Sequence, residues 1–271
     1  MTHVTDPTTR RVEGGVRLSA GIERAWGRRP LPRKGPKPGL ALHGIVTAAV
    51  TLAQIDGLGA VSMSRVAAAL GVSTMALYSY LDTKDELLAL MVDHACGEPP
   101  GHLARKQWRD NLWLWASTLF DGYRRHPWAA EIPISRVPPT PTQIAWLEAG
   151  LRCLAGTELT DQQRLSTVLL LGVFVRSEAS LARDLPSPGQ PSTSDTATPP
   201  TYGQLLRQLI DPQRFPEVSA IATTGAFDDQ AGISEELSYG LDRIIDGVER
   251  LLQRATPPAN KKARQQRPRV R

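Results

Sequence analysis

The sequence predicts an all-α protein of two domains, and three observations carry that prediction. Apolar residues recur at three- and four-residue spacing in one stretch after another, as a helix with a single buried face requires. Alternating Val/Ile/Thr runs of the kind that build strands are scarce, and aromatic residues make up only 6% of the chain. The 22 prolines and 22 glycines are gathered unevenly, which marks tails and linkers between helical blocks. At 271 residues and 41% apolar content, the chain is long enough for two modest domains, each with its own core.

Residues 1–38 are expected to form a flexible basic arm. The run Arg28-Arg29-Pro30-Leu31-Pro32-Arg33-Lys34-Gly35-Pro36-Lys37-Pro38 holds four prolines, which exclude a helix and favour an extended course. A first domain is expected over 39–98. Leu42, Ile45, Val46, Ala49, Leu52 and Ala53 make one apolar helical face, ended by Gly57 and Gly59. Ser62 caps a short helix over Met63–Leu70, Gly71-Val72-Ser73 makes a tight turn, and a second short helix follows over Thr74–Tyr80. Thr83-Lys84-Asp85-Glu86 reads as a capping box, with Glu86 reaching back to the cap; the helix it opens runs to about His94 and stops before Gly97-Glu98-Pro99-Pro100-Gly101.

A second helical domain is expected over 102–256. Trp108, Leu112, Trp115, Leu119 and Tyr123 mark a helix at about 105–125, and His126-Pro127 restarts a short one. Ile144, Leu147, Leu151 and Leu154 mark another at about 141–155, and Thr160 caps a long apolar helix reaching about Asp184. Residues 185–200, rich in Pro, Ser and Thr, are expected to be a disordered loop. Short helices fill 202–224, and the last helix, at about 232–254, carries the stripe Leu237, Leu241, Ile244, Val248, Leu251. Residues 257–271 read as a basic disordered tail.

Charge is unevenly placed. Residues 10–47 hold nine Arg/Lys and two Glu, residues 255–271 hold six Arg/Lys and no acid, and residues 48–254 hold 17 basic against 24 acidic residues. Basic flanks on an acidic body suggest a polyanionic partner met from the ends, set against the plainer alternative of two solvated tails.

The informative stretch is Ser62 to Leu81. Two short helices flank a three-residue turn that begins with glycine; Val66, Ala67, Leu70, Val72 and Leu77 face inward and set the interhelical angle. That helix-turn-helix lets its second helix enter a major groove. The outward residues Thr74, Met75, Tyr78 and Ser79 suit contacts with base edges, phosphates or a thymine methyl. The competing interpretation is an ordinary helical hairpin.

"Val-Ala-Ala-Ala-Leu-Gly-Val-Ser", then "Leu-Tyr-x-Tyr" and "Lys-Asp-Glu-Leu", resembles the DNA-binding domain of the tetracycline-repressor (TetR) family over about 40–95. Tyr239-Gly240-Leu241-Asp242-Arg243-Ile244-Ile245-Asp246-Gly247 and the later helix layout resemble that family's C-terminal domain more weakly. The resemblance implies that Ser62 caps a helix near a phosphate, that Arg65 holds the DNA backbone, and that Thr74, Met75 and Ala76 open the recognition helix and face bases. It implies that Tyr78 and Lys84 contact the backbone. Ser64, Ser73, Ser79 and Tyr80 complete the candidate set. Ser64 stands where the tetracycline repressor has a base-reading Arg, which implies a different operator, because a serine makes no bidentate guanine contact.

The resemblance also implies a small-molecule effector held in a second domain that dimerises. The aromatic-rich region supplies candidates: Trp108, Leu112, Trp115, Tyr123, His126, Trp146, Phe174 and Arg176, each set against ordinary core packing. His102 and His126 could ligate a metal-bound effector, against a plain structural role; no metal site and no cofactor beyond the effector is expected. Dinucleotide, phosphate-loop, zincin and nucleophile-elbow motifs are absent, so no enzyme activity is expected. Cys96 and Cys153 give neither a disulfide framework nor metal spacing, which fits a reducing cytoplasm. The polar N-terminus shows no secretory signal, and the apolar run near Leu165–Val175 is expected to be too short to span a bilayer. The sequence therefore points to a homodimeric, ligand-responsive repressor of a palindromic duplex operator. The alternatives are a helical small-molecule-binding protein that does not touch DNA and, behind it, a helical enzyme or adaptor.

Overall fold

A computed structural model of the chain describes residues 18–29, 40–101, 107–133, 140–184, 200–228 and 233–255. Among them are eleven α-helices, two short 3-10 turns and no strand. The chain divides into two compact units, 1–95 with 132–144, and 96–131 with 145–271. The expected 185–200 loop (apart from its last residue), the 257–271 tail, and residues 1–17 and 30–38 of the arm lie outside the described residues.

The first unit is built from α1 (Ala20–Ala25), α2 (Leu42–Asp56), α3 (Met63–Leu70), α4 (Thr74–Tyr78) and most of α5 (Lys84–Cys96). Its core is Ile45 of α2, Val61, Val66 of α3, Leu77 of α4, Leu81, and Leu87 and Met91 of α5, all without accessible surface. Gly57, at φ 79°, ends α2 in a conformation that a side chain would disfavour.

Residues 18–29 are not the free arm expected of them: α1 packs on the first unit, with Ala20, Gly21 and Ile22 buried. Its open N-terminal amides are taken up by carboxylates from the segment after α4. Asp82 Oδ2 accepts from Ala20 N (2.9 Å), and Glu86 Oε1 accepts from Gly21 N (2.6 Å) and Ile22 N (2.9 Å). Gly21 is required there, since a Cβ would lie 2.6 Å from Leu81 Cδ2 and 2.8 Å from Glu86 Cδ. Residues 132–144 were expected with the second domain but group with the first unit, where Asp93 Oδ1 accepts from Gln143 N at 2.9 Å and so caps the next helix.

The second unit contains α6 (Trp108–Arg125), a 3-10 turn at Pro127–Ala130, most of α7 (Pro141–Cys153), α8 (Asp161–Asp184), α9 (Tyr202–Leu209), α10 (Pro216–Thr224) and α11 (Ile233–Ala255). Its core includes Leu112, Leu154, Leu171, Leu241 and Ile245. The helices meet closely at glycines. A Cβ on Gly150 of α7 would lie 2.7 Å from Val168 Cγ1 and 3.2 Å from the Trp115 indole, and one on Gly240 of α11 would enter the Phe174 ring of α8. Gly240→Ala is therefore expected to lower stability by about 1–3 kcal/mol through overpacking, seen as a reduced urea midpoint at unchanged slope.

The α11 stripe is only partly buried, with Ile244 half-buried and Leu251 38% exposed. Leu237, Leu241 and Val248 are buried together with Ile245, on the side where α11 packs against α8 in the same protomer. The exposed apolar stripe lies on α8 instead: Leu169 (50% exposed), Leu170 (54%) and Val173 (64%), continued by Leu181. Asp161–Arg183, with mean hydropathy 1.5, is long and apolar enough by composition to cross a membrane, contrary to the expectation drawn from its shorter apolar run.

Candidate nucleic-acid interface

The interface grows from two capped helices. Ser62, in extended conformation, accepts from Arg65 N through its Oγ (3.2 Å) and starts α3. Gly71 ends it at φ 63°: Gly71 N donates to Ala68 O and Val72 N to Ala67 O, both at 3.0 Å, which is the paired-bond helix stop that favours glycine. Ser73 then caps α4 through Ala76 N (3.2 Å). Three local signals, Ser62, Gly71 and Ser73, thus fix the lengths of both helices and the turn between them. Val66 and Leu77 close the angle with no exposed surface, and Ala67, 2% exposed, is small at the crossing.

What remains outside is a compact reading face. Met75 is 75% exposed and Tyr78 46%; Ser79 is exposed and Thr74 half-buried. Ser64 is exposed beside Ser62, their hydroxyls 3.1 Å apart. Arg65 is exposed and held by Asp56 at 2.5 Å, which orients the guanidinium while leaving other N–H donors for a phosphate. Lys84, the first residue of α5, is exposed.

Two expected contacts point inward. Ala76 is buried against the head. Tyr80 lies beyond the end of α4, which stops at Tyr78 rather than Tyr80; it is 8% exposed and its hydroxyl donates to Leu40 O at 2.8 Å. Arg24 of α1 donates to Tyr80 O (2.6 Å) and lies over the Tyr80 ring at 5.2 Å. Tyr80 thus serves as a structural post within the head. The capping box is half-formed: Thr83 Oγ1 accepts from Glu86 N (3.1 Å), but the Glu86 carboxylate reaches Asp82 N (2.6 Å) and α1 instead of Thr83 N. Sequence reasoning missed Arg24 as part of this head, and missed Asp82 and Glu86 as the acceptors that hold α1. Ser19 before α1 and Gly27 after it were the available signals.

In the second unit the expected effector residues are mostly engaged with neighbours in the same unit. Leu112, Trp115, Tyr123 and Trp146 are buried. Trp115 Nε1 donates to Trp146 O (2.9 Å), the two rings meet edge-on at 5.8 Å, and Trp146 Nε1 donates to Gly97 O (2.8 Å). Phe174 fills the space over Gly240, Arg176 donates to Ala130 O (2.9 Å), and His126 is tilted on Trp128 at 5.6 Å. Trp108 is half-buried, with Arg109 over its ring at 5.8 Å. Burial pushes the Tyr123 phenol well up, reinforced by neighbouring Cys96 and opposed by Arg176. Burial likewise raises the Cys153 thiol to about 11, so it is a poor nucleophile near neutral pH. His102 lies outside the described residues, and no group of three or more metal-ligating side chains occurs among the described ones.

Comparison with known proteins agrees with this architecture. Residues 45–91 match the family described as bacterial regulatory proteins, tetR family, and residues 100–252 match the tetracyclin repressor-like C-terminal domain. The chain is 32% identical over 244 residues to the HTH-type transcriptional repressor DrrR1 of Streptomyces coeruleorubidus, covering 88% of each chain. The chain belongs to the TetR family. An HTH-type transcriptional regulator of Saccharopolyspora erythraea is 33% identical over 128 residues, 47% of this chain and 54% of that one. Among solved structures, apo ActR of Streptomyces coelicolor superposes with a TM-score of 0.67 at 24% identity, covering 81% of this chain and 100% of ActR. ActR in complex with actinorhodin gives 0.66 at 24% identity, covering 79% and 99%. These likenesses establish the fold. TetR-family proteins are DNA-binding transcriptional regulators, and α3 and α4 lie within the residues matched to the family's DNA-binding domain.

Proposed function

We propose that this TetR-family regulator is a cytoplasmic homodimeric repressor that leaves a near-palindromic operator when a small molecule binds its second unit. The observation that carries the DNA-reading part is the pair Met75 and Tyr78, held out at 75% and 46% exposure on a helix whose other side is fully packed. An exposed methionine has no stabilising role on a free head, whereas against a duplex it meets a thymine methyl or a base edge. Repression is supported by the relative DrrR1, named as a repressor. Effector binding is supported by ActR, solved with actinorhodin and with (S)-DNPA. A ligand that favours one of two head arrangements shifts the population and releases DNA by linkage.

Dimerisation is supported by the α8 stripe Leu169–Leu170–Val173, which a free protomer leaves in water. The same stripe makes α8 resemble a membrane span; pairing with a second copy covers it without lipid. Sedimentation in buffer without detergent separates the two, with a dimer expected and detergent-dependent solubility contradicting it.

Lys84→Ala tests the assignment of the head. Loss of a phosphate contact weakens all duplexes about equally and reduces the salt slope by ~0.9 per contact. Met75→Ala, in contrast, is expected to change sequence preference by about 1–3 kcal/mol at one base pair. Unchanged affinity of Lys84→Ala at low salt would remove Lys84 from the interface. An effector is expected to quench tryptophan emission and to lower operator affinity together; a tight ligand with no effect on DNA favours a helical binding protein uncoupled from transcription.

A further inference from the structure

The helical head that carries the reading face has the wrong charge for its partner. Between Leu40 and Ala95 it holds two basic residues, Arg65 and Lys84, against five acidic ones, Asp56, Asp82, Asp85, Glu86 and Asp93, a formal net of −3. DNA affinity is dominated by cations placed on phosphates, so this head alone is poorly suited to a duplex. The structure shows how the deficit is met. The amides of α1 bind the carboxylates of Asp82 and Glu86, Arg24 of the same helix donates to Tyr80 O, and Arg28 and Arg29 follow directly after it, with Glu23 as the sole acid between residues 18 and 29.

The helix is stopped so that its arginines are fixed in place. Gly27, at φ 65°, lets Gly27 N donate to Arg24 O (2.9 Å) and Arg28 N to Glu23 O (2.8 Å), a paired-bond stop that folds the chain back. Arg28 then lies over the exposed Trp26 ring at 5.9 Å, and Arg29 meets Glu23 at 3.5 Å with both side chains largely in solvent. Upstream, Arg24 is bound to Tyr80 O, two residues after the recognition helix; downstream, Leu40 O accepts from the Tyr80 hydroxyl. Arg24 and Leu40 thus both bind Tyr80, which lies between Tyr78 and Lys84 in sequence. Arg28 and Arg29 follow Arg24 by four and five residues, just past the stop at Gly27.

We propose that α1 is a second DNA-binding element of the head, docked by Asp82 and Glu86, and that Arg28, seated on Trp26, and Arg29, paired with Glu23, bind phosphates of the duplex beside the recognition helix. The proposal rests on the reading of the head as a duplex-binding module. Arg29 exchanges its weak exposed pairing with Glu23 for a phosphate at little cost, and Arg28 is pre-organised on the indole face.

The test uses the full-length protein and a labelled duplex selected by that protein from a random pool, titrated across salt. Arg28→Ala/Arg29→Ala changes only exposed side chains and is expected to lower affinity at least tenfold at low salt. It should flatten the salt slope by nearly two units for each engaged head, at ~0.9 per contact, with base preference unchanged. Gly21→Val, whose side chain collides with Leu81 and Glu86, is expected to expose the segment to tryptic cleavage after Arg24 and Arg28 and to reproduce the same flatter slope. If the full-length protein binds no duplex even at low salt, the reading of the head fails and this proposal with it. If it binds and the double variant keeps the full slope, only the present proposal is overturned. It is overturned equally if Gly21→Val becomes protease-sensitive there yet keeps the slope.

Discussion

Leu170→Glu/Val173→Glu is expected to give a folded monomer whose affinity for a palindromic duplex is reduced by at least a hundredfold. Both residues are more than half exposed on α8, so the substitutions leave the core of the protomer, centred on Leu171 and Leu241, untouched. In a dimer they would bury four carboxylates in an apolar seam, a cost of several kcal/mol that dissociation relieves. Two linked heads bind a two-fold site with an avidity that exceeds one head by about 10²–10⁴, and a monomer loses that factor. Sedimentation and duplex titration on the same sample measure both consequences. A double variant that remains dimeric would move the interface off this face.

Glu86→Ala is expected to cost the head about 3 kcal/mol or more. The carboxylate, 6% exposed, accepts from three backbone amides, Gly21 N, Ile22 N and Asp82 N. Alanine leaves all three without an acceptor, each at roughly 1–3 kcal/mol where buried, although water reaches the Asp82 amide and offsets part of the loss. Glu86→Gln keeps one accepting oxygen and is expected to fall between the two. Unfolding in urea gives the order directly. Equal midpoints for Glu86→Ala and the unaltered protein would mean that α1 is not held by this carboxylate.

The helix-turn-helix was legible because its determinants are local. Ser62, Gly71 and Ser73 each act within four residues, so a capped helix, a left-handed stop and a second capped helix can be read in order from the chain. The docking of α1 was not legible for the opposite reason. Its acceptors, Asp82 and Glu86, lie 62 and 65 residues away from the amides they bind, and the adjoining prolines made the whole segment resemble a tail. Tyr80 was misplaced because the helical period was carried two residues past the end of α4, where the chain has already turned inward. On α11 the period correctly marked an apolar face, but periodicity carries no information about which neighbour covers it. Leu237, Leu241 and Val248 are buried on the side that packs against α8 of the same protomer, and the exposed stripe is on α8. The aromatic candidates behave similarly: the Trp115 indole donates to Trp146 O and the Trp146 indole to Gly97 O, as large side chains in a closed core do.

Whether the exposed face of α4 reads a specific two-fold duplex is decided by selecting bound duplexes from a random pool with the full-length protein and sequencing them. A near-palindromic consensus is expected, with half-sites about one helical turn apart. At least one base-pair preference within each half-site is expected to change in a parallel selection with Met75→Ala. Recovery of duplexes with no shared sequence, or a consensus identical for both proteins, would contradict a reading role for α4.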